Sequence, residues 1–246
     1  MPRALALLFL IAMPFARAET LRFYGYAHDL DSGQYLYTEV HRQELDGDRW
    51  TGGTIRYFDA EGRELGFKTL DFSADPFVPV YRFDLRAGHY SEGIDSVGAD
   101  IGMYRRQEGD DEMRRASVPK QDPVTADSGF HAFLRANMGR LADGKTVNFH
   151  FAVAGELDQF KFRAKKTGDT TFEGKPAITL TVEPDSFLRL LAAPLQLVYE
   201  PRERKLLEYR GVSNVHDPAT GKPYNVRIDY YTSKPADAPS KLPPLE

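Results

Sequence analysis

The chain contains no cysteine. Disulfides, thiolate metal sites, cysteine nucleophiles and a lipidated N-terminal cysteine are therefore excluded. Exported chains depend on disulfides mostly when they are small and short of core, and 246 residues are ample to bury one. Long apolar runs are missing beyond the first segment, so nothing later reaches the ~20 apolar residues that a membrane-spanning helix needs. A basic excess is missing too. The formal net charge is −4, which argues against nucleic acid, whose binding rests on Lys and Arg neutralising phosphates. The motifs Gly-x-Ser-x-Gly, His-Glu-x-x-His, Gly-x-x-x-x-Gly-Lys and Gly-x-Gly-x-x-Gly after a strand are all absent.

What is present begins with an address. Arg3 gives a positive start, Ala4 to Phe15 is apolar, and Ala16-Arg17-Ala18 is a small-x-small cleavage site. Residues 1–18 therefore read as a secretory signal peptide, with an N-terminal anchor as the alternative. Export without disulfides points to a bacterial periplasm, or else to secretion. Residues 19–232 then form one β-rich domain. Residues 233–246, with Pro235, Pro239, Pro243 and Pro244, form a tail expected to be disordered.

Within the domain the main signal is alternation of period two. Val147, Phe149, Phe151 and Val153 alternate with polar residues. So do Phe160, Phe162 and Ala164; Ile178, Leu180 and Val182; and Tyr224, Val226, Ile228 and Tyr230. Earlier strands are expected at Leu21–His28, Gln34–Leu45, Arg49–Phe58, Arg63–Phe72, Val80–Leu85, His89–Asp95, Ile101–Arg106 and Glu112–Val118, split by Gly- and Asp-rich turns. Strands are also expected at Leu195–Tyr199 and Leu206–Val215. From Asp127 to Leu141 the period changes: Phe130, Phe133, Leu134, Met138 and Leu141 share one side of an amphipathic helix. Asp127 or Ser128 can cap it, and Asp143-Gly144 can end it. A short helical turn is expected at Ser186–Ala192, and Lys120–Thr125 reads as a link between two halves of one sheet.

About a dozen strands cannot stay flat, because strand twist makes them curl or close. The expected fold is mainly β: a strongly curved antiparallel sheet or open barrel with one amphipathic helix on its concave face. A closed barrel with the helix outside is the alternative.

Candidate chemistry is thin. His28, His41, His89, His131, His150 and His216 are scattered, and no two stand at zinc-ligand spacing; solvated surface residues are the simpler reading. Asp-Ser-Gly occurs at Asp31–Gly33 and Asp127–Gly129. Such triplets can carry an aspartic dyad, but turns and helix starts favour the same residues. The acids Asp29, Asp31, Glu44, Asp46 and Asp48 lack the spacing of a calcium loop. Arg105-Arg106 and Arg114-Arg115 read as a solvated face. Two features remain open to function: the 16 Phe and 13 Tyr, some of which could line a cavity, and Phe187–Leu197, which could form a flap at Pro194. No catalytic, cofactor-binding or metal-ligating residue is nominated, and the balance leans away from an enzyme.

Gly129 to Arg135, Leu141 to Lys145, the strand ending Phe149-His150-Phe151, Leu188 to Leu197 and Lys205 to Asn214 together resemble a family of exported Gram-negative proteins of unknown function. The resemblance covers roughly residues 127–232. It implies a fold related to the open β-barrel of periplasmic lipoprotein carriers; the lipidated receptor of that pathway needs an N-terminal cysteine, which this chain lacks, and a soluble carrier-like form stays open. The family carries no agreed catalytic residues to transfer. The expected function is binding of an apolar or lipid-like ligand in the concavity, where each buried CH₂ supplies about 0.8 kcal/mol. The alternatives are a cell-envelope assembly partner and an unrecognised hydrolase, which would need a carboxylate pair or a histidine–carboxylate pair facing a pocket.

Overall fold

The computed structural model describes residues 18–107, 109–185 and 193–245. The expected signal peptide and the helical turn at 186–192 fall outside these residues, apart from Ala18, which opens the first strand. The expected flap at 187–197 is described only from residue 193 onward.

Eight strands run first in sequence: β1 (Ala18–Asp29), β2 (Tyr35–Asp46), β3 (Arg49–Phe58), β4 (Glu64–Asp71), β5 (Val80–Leu85), β6 (Ser91–Val97), β7 (Asp100–Arg106) and β8 (Arg114–Pro119). After β9 (Val124–Ala126) come two helices, α1 (Gly129–Ala136) and α2 (Met138–Ala142). The chain ends with β10 (Val147–Val153), β11 (Asp158–Phe172), β12 (Lys175–Pro184), β13 (Leu195–Glu200), β14 (Lys205–His216) and β15 (Pro223–Tyr231). All fifteen strands belong to one sheet, ordered β8-β7-β6-β5-β4-β3-β2-β1-β15-β14-β13-β12-β11-β10-β9. Two meanders thus grow outward from a shared centre, where β1 pairs antiparallel with β15. Among the described residues only β9 on β10 is parallel.

The two outermost strands, β8 and β9, are consecutive in sequence, and only residues 120–123 separate them. The sequence predicts residues 120–125 as a link between two halves of the sheet; the end of that link forms the short strand β9. Spread flat at about 4.8 Å per strand, the edges would lie roughly 65 Å apart. The link reaches about 17 Å at most. Bonds between the two ends of the order agree. Arg105 of β7 donates to the Gly155 carbonyl in the 3₁₀ turn Ala154–Glu156 after β10. Gln159 Nε2 of β11 donates to the Pro119 carbonyl at 2.8 Å.

The helical region binds the second meander together. Phe133, Leu134, Met138 and Leu141 pack with Val147, Phe149, Ala164, Ile178, Leu180, Val182, Leu197 and Tyr199 of β10 to β13. The single helix expected over 127–141 is broken at Asn137, whose backbone leaves helical geometry at φ −101°, ψ 7°. Its side chain bonds the Phe133 carbonyl at 2.9 Å. Neither Asp127 nor Ser128 caps the helix through its side chain. The Asp127 carboxylate is turned instead toward Lys68. Gly129 is required by close approach, since a Cβ there would lie 2.0 Å from the Phe77 carbonyl oxygen.

The two faces of the sheet differ. The core face carries Tyr37, Ile55, Tyr57, Tyr81, Phe83, Ile94, Ile101 and Met103, each at most 4% exposed. The opposite face at β1 carries Tyr24, Tyr26 and Phe58, and the C-terminal segment covers them. Leu242 is 7% exposed, and Tyr24 donates its hydroxyl to the Pro243 carbonyl at 2.7 Å. The tail expected to be disordered is thus laid along this face, because apolar side chains on both sides of β1 need cover on both sides.

Leu134 is fully buried in the helix–sheet cluster. Leu134→Ala should destabilise the protein by about 2–5 kcal/mol, read as a lower urea midpoint with an unchanged slope.

Candidate ligand site

Three polar constellations lie inside the structure. The first crosses the core. Lys68 Nζ of β4 meets Asp127 Oδ2, just before α1, at 2.5 Å, with both side chains under 5% exposed. Asn214 of β14 donates to the same oxygen at 2.9 Å. Nearby, Tyr90 and Tyr81 donate their hydroxyls to the two oxygens of Glu92 at 2.6 and 3.2 Å. Burial alone would raise the Asp127 pKa; the Lys68 ammonium and two bonds from Ser128 reverse that and hold it below the usual carboxylate range. Glu92 moves the other way: burial pushes it up, despite the phenol donors and Lys68. Their geometry fits a structural clasp between the meanders.

The second lies on β2, where Tyr37, Glu39, His41 and Gln43 alternate onto the core face. His41 Nε2 and Glu39 Oε2 are 2.7 Å apart, and Phe23 stacks on the imidazole at 4.3 Å. His131 of α1 shares a hydrogen bond with Tyr199 at 2.7 Å. These two histidines were read as solvated, but His41 is 8% exposed and His131 is half-buried. The histidine–carboxylate pair that a hydrolase would need is present.

The third constellation is a cleft of about 190 Å³ on the opposite face, between β1, β2, β15 and the tail. Its lining includes Tyr26, His28, Tyr35, Arg227, Asp229 and Tyr231 from the sheet, with Asp237 among the residues that roof it. His28 sits just past a bulge in the β1–β2 pairing, a feature that re-aims side chains. Three buried polar atoms here have no hydrogen-bond partner: Tyr26 Oη, His28 Nδ1 and Arg227 Nε. Arg227 Nε lies 3.2 Å from Asp229 Oδ2 without a bond between them. Tyr26 is 3% exposed, and burial raises its phenol pKa. Burial, then the Arg227 charge, lowers that of His28, so its ring is neutral at pH 7. Burial pushes Asp229 up to about 6, with Arg227 opposing and Glu208 adding to the rise. A wider groove of about 370 Å³ runs beside the tail between Tyr24 and Leu245. It is mostly apolar, and the Tyr24 hydroxyl there is already bonded.

The sequence nominated none of these residues. The cleft had a legible signal, because Phe23 on one side of β1 and Tyr24 and Tyr26 on the other demand cover on both faces. On the core face, where an apolar cavity is expected, the sheet's own aromatic side chains gather in one buried cluster. No group of three or more His, Asp or Glu among the described residues is placed to hold a metal.

The fold and sites so far define a mainly β protein built on one large unclosed sheet. No protein-family model matches the chain, and no curated protein does. Among solved structures it is similar to a β-barrel-like protein of the domain of unknown function DUF1849 from Brucella abortus, with a TM-score of 0.42 and 8% sequence identity, over 86% of this chain and 96% of that one.

Two predictions follow from the core groups. Lys68→Met and Asp127→Asn should each cost about 3–5 kcal/mol, since each strands a buried polar partner. The double variant should cost clearly less than the two combined, which a urea double-mutant cycle measures; additive losses would show that the pair is not coupled. His131 has a folded pKa held below its unfolded value by burial, with Arg135 and His41 adding to the effect. Its contribution to stability is therefore fully present above the unfolded pKa of about 6.5 and is lost as pH falls through that value toward the folded one. His131→Gln should lose less stability than the parent between pH 7.5 and pH 5.0 in urea titrations.

Proposed function

We propose that this is an exported, non-catalytic binding protein of the periplasm, built as a curled open barrel, and that its ligand is small and polar and lies in the cleft beneath the tail. Export is supported by the charged, apolar and small-residue segments of residues 1–18. The curl is supported by the short link between β8 and β9, which a flat sheet of this width would not permit. One observation carries the site: of the buried polar atoms without a hydrogen-bond partner among the described residues, three belong to residues that line this cleft. Folded proteins pair nearly all such atoms, and an orphaned group costs about 1–3 kcal/mol. Their clustering around one cleft with a mainly polar lining supports a polar ligand there. An acyl chain would need an apolar cavity, and a hydrolase would need an open one at Glu39 and His41; the cleft meets neither need.

Tyr26→Phe separates ligand binding from folding. It removes a hydroxyl with no protein partner, so the thermal midpoint of the free protein should hold or rise. Any small polar compound that raises the parent midpoint should do so several-fold less in the variant. A panel of sugars, amino acids, carboxylates and inorganic phosphate screened by thermal shift makes the comparison. A lower midpoint for the free variant, or equal ligand shifts in both proteins, would overturn the reading.

A further inference from the structure

The sheet ends on one side at β8, and the outer edge of this strand is open. β8 pairs with β7 from Arg105↔Arg114 to Asp100↔Pro119 without a bulge. In the next pair the Lys120 N–H donates to the Ala99 carbonyl at 2.9 Å. Along an antiparallel strand, residues that turn both backbone groups to the neighbour alternate with residues that turn both away. Lys120, Val118 and Ala116 therefore face β7, while Pro119, Ser117 and Arg115 face outward. The Pro119 carbonyl already accepts from Gln159 of β11 at 2.8 Å. Arg115 and Ser117 are exposed, and no strand stands beside their outward N–H and C=O groups. The other end of the order is covered. Beyond β9 the Phe77 carbonyl accepts from the Ala126 N–H and the Thr125 hydroxyl, each at 3.0 Å.

An open edge takes up extended peptide through its backbone, and the side chains around it select which peptide. Tyr104–Arg106 and the facing Met113–Ser117 contain four arginines and no acid. Arg105 and Arg114 stand directly opposite each other, which is destabilising for like charges. Of the four, Arg115 alone has an ion pair among the described residues, with Asp95. In the connecting turn, Asp110 accepts from the Gln107 N–H at 3.0 Å. We infer that β8 is a docking edge for an extended acidic segment of another protein, independently of the cleft. Laid antiparallel, two residues of such a segment exchange four hydrogen bonds with Arg115 and Ser117. An acid placed opposite Arg114 answers the uncompensated pair Arg105–Arg114. Met113, 37% exposed, adds an apolar contact where the edge begins. Charge on an edge turns away strands of like charge and so sets specificity. A second copy is such a strand, because its β8 offers arginine and no acid.

Amide NMR of the protein titrated with two capped peptides, Glu-Thr-Glu-Val-Glu-Thr and Lys-Thr-Lys-Val-Lys-Thr, tests the edge. The glutamate peptide should give saturable shifts along β8 and slow hydrogen exchange at the Arg115 and Ser117 amides ten-fold or more. The lysine peptide should bind at least ten-fold more weakly. Ser117→Pro removes an outward N–H and no bond to β7, as an edge strand tolerates, and should weaken the glutamate peptide ten-fold or more with the thermal midpoint little changed. Arg114→Glu should reverse the preference between the peptides, and it serves alone if Ser117→Pro does not fold. The inference is overturned if neither peptide shifts β8, or if the peptides bind equally well. It is also overturned if the substitutions leave binding unchanged. Slowed exchange at Ser117 that grows with protein concentration alone would make a second copy the occupant and overturn it too.

Discussion

Lys68 and Asp127 each need the other. Either charge alone in the core would be severely penalised by desolvation, and at 2.5 Å they cancel. This single contact joins β4 of the first meander to the chain just before α1 in the second. It also explains why Asp127 does not cap the helix. Its carboxylate accepts from Lys68, Ser128 and Asn214, and the helix begins against the Phe77 carbonyl, where only glycine fits. The first meander is thus tied to the segment that precedes the helices by charge as well as by apolar contact.

The opposite face follows a different rule. Near β1 it gathers Tyr24, Tyr26 and Phe58. The tail crosses that patch and, where it bridges toward Arg227 and Asp229, leaves a gap instead of closing down. A packed apolar face thus continues into a polar hollow roofed by prolines.

The fold was legible where side chains alternate simply. Val147 to Val153 is a strand with the expected bounds, as are Arg49 to Phe58 and Val80 to Leu85. The helical period of Phe130 to Leu141 was also real, but the break at Asn137 depends on one side chain bonding backward to Phe133. The polar groups were hidden for a general reason. Lys68, Glu39 and His41 occupy core positions in their strands, and only partners from elsewhere make them tolerable there. The partner of Lys68 is 59 residues away. Alternation says which way a side chain points; it does not say what meets it. Within the cleft, whose need for cover the β1 aromatics did signal, Arg227 and Asp229 were hidden similarly, because they look like any solvated strand face until the tail is laid over them.

The pairing of β1 with β15 sets the order in which the molecule can assemble. The first strand of the domain stands at the centre of the sheet and finds one of its two neighbours only in the last. The Tyr24 hydroxyl bonds a carbonyl 219 residues further on. Contacts of such long separation carry a large loop-closure entropy and slow the search for the native state. A chain threaded through a membrane from its N-terminus would therefore emerge with its central strand half-paired. It could complete that strand only when the last residues arrived, and it would stay open to chaperones and proteases until then.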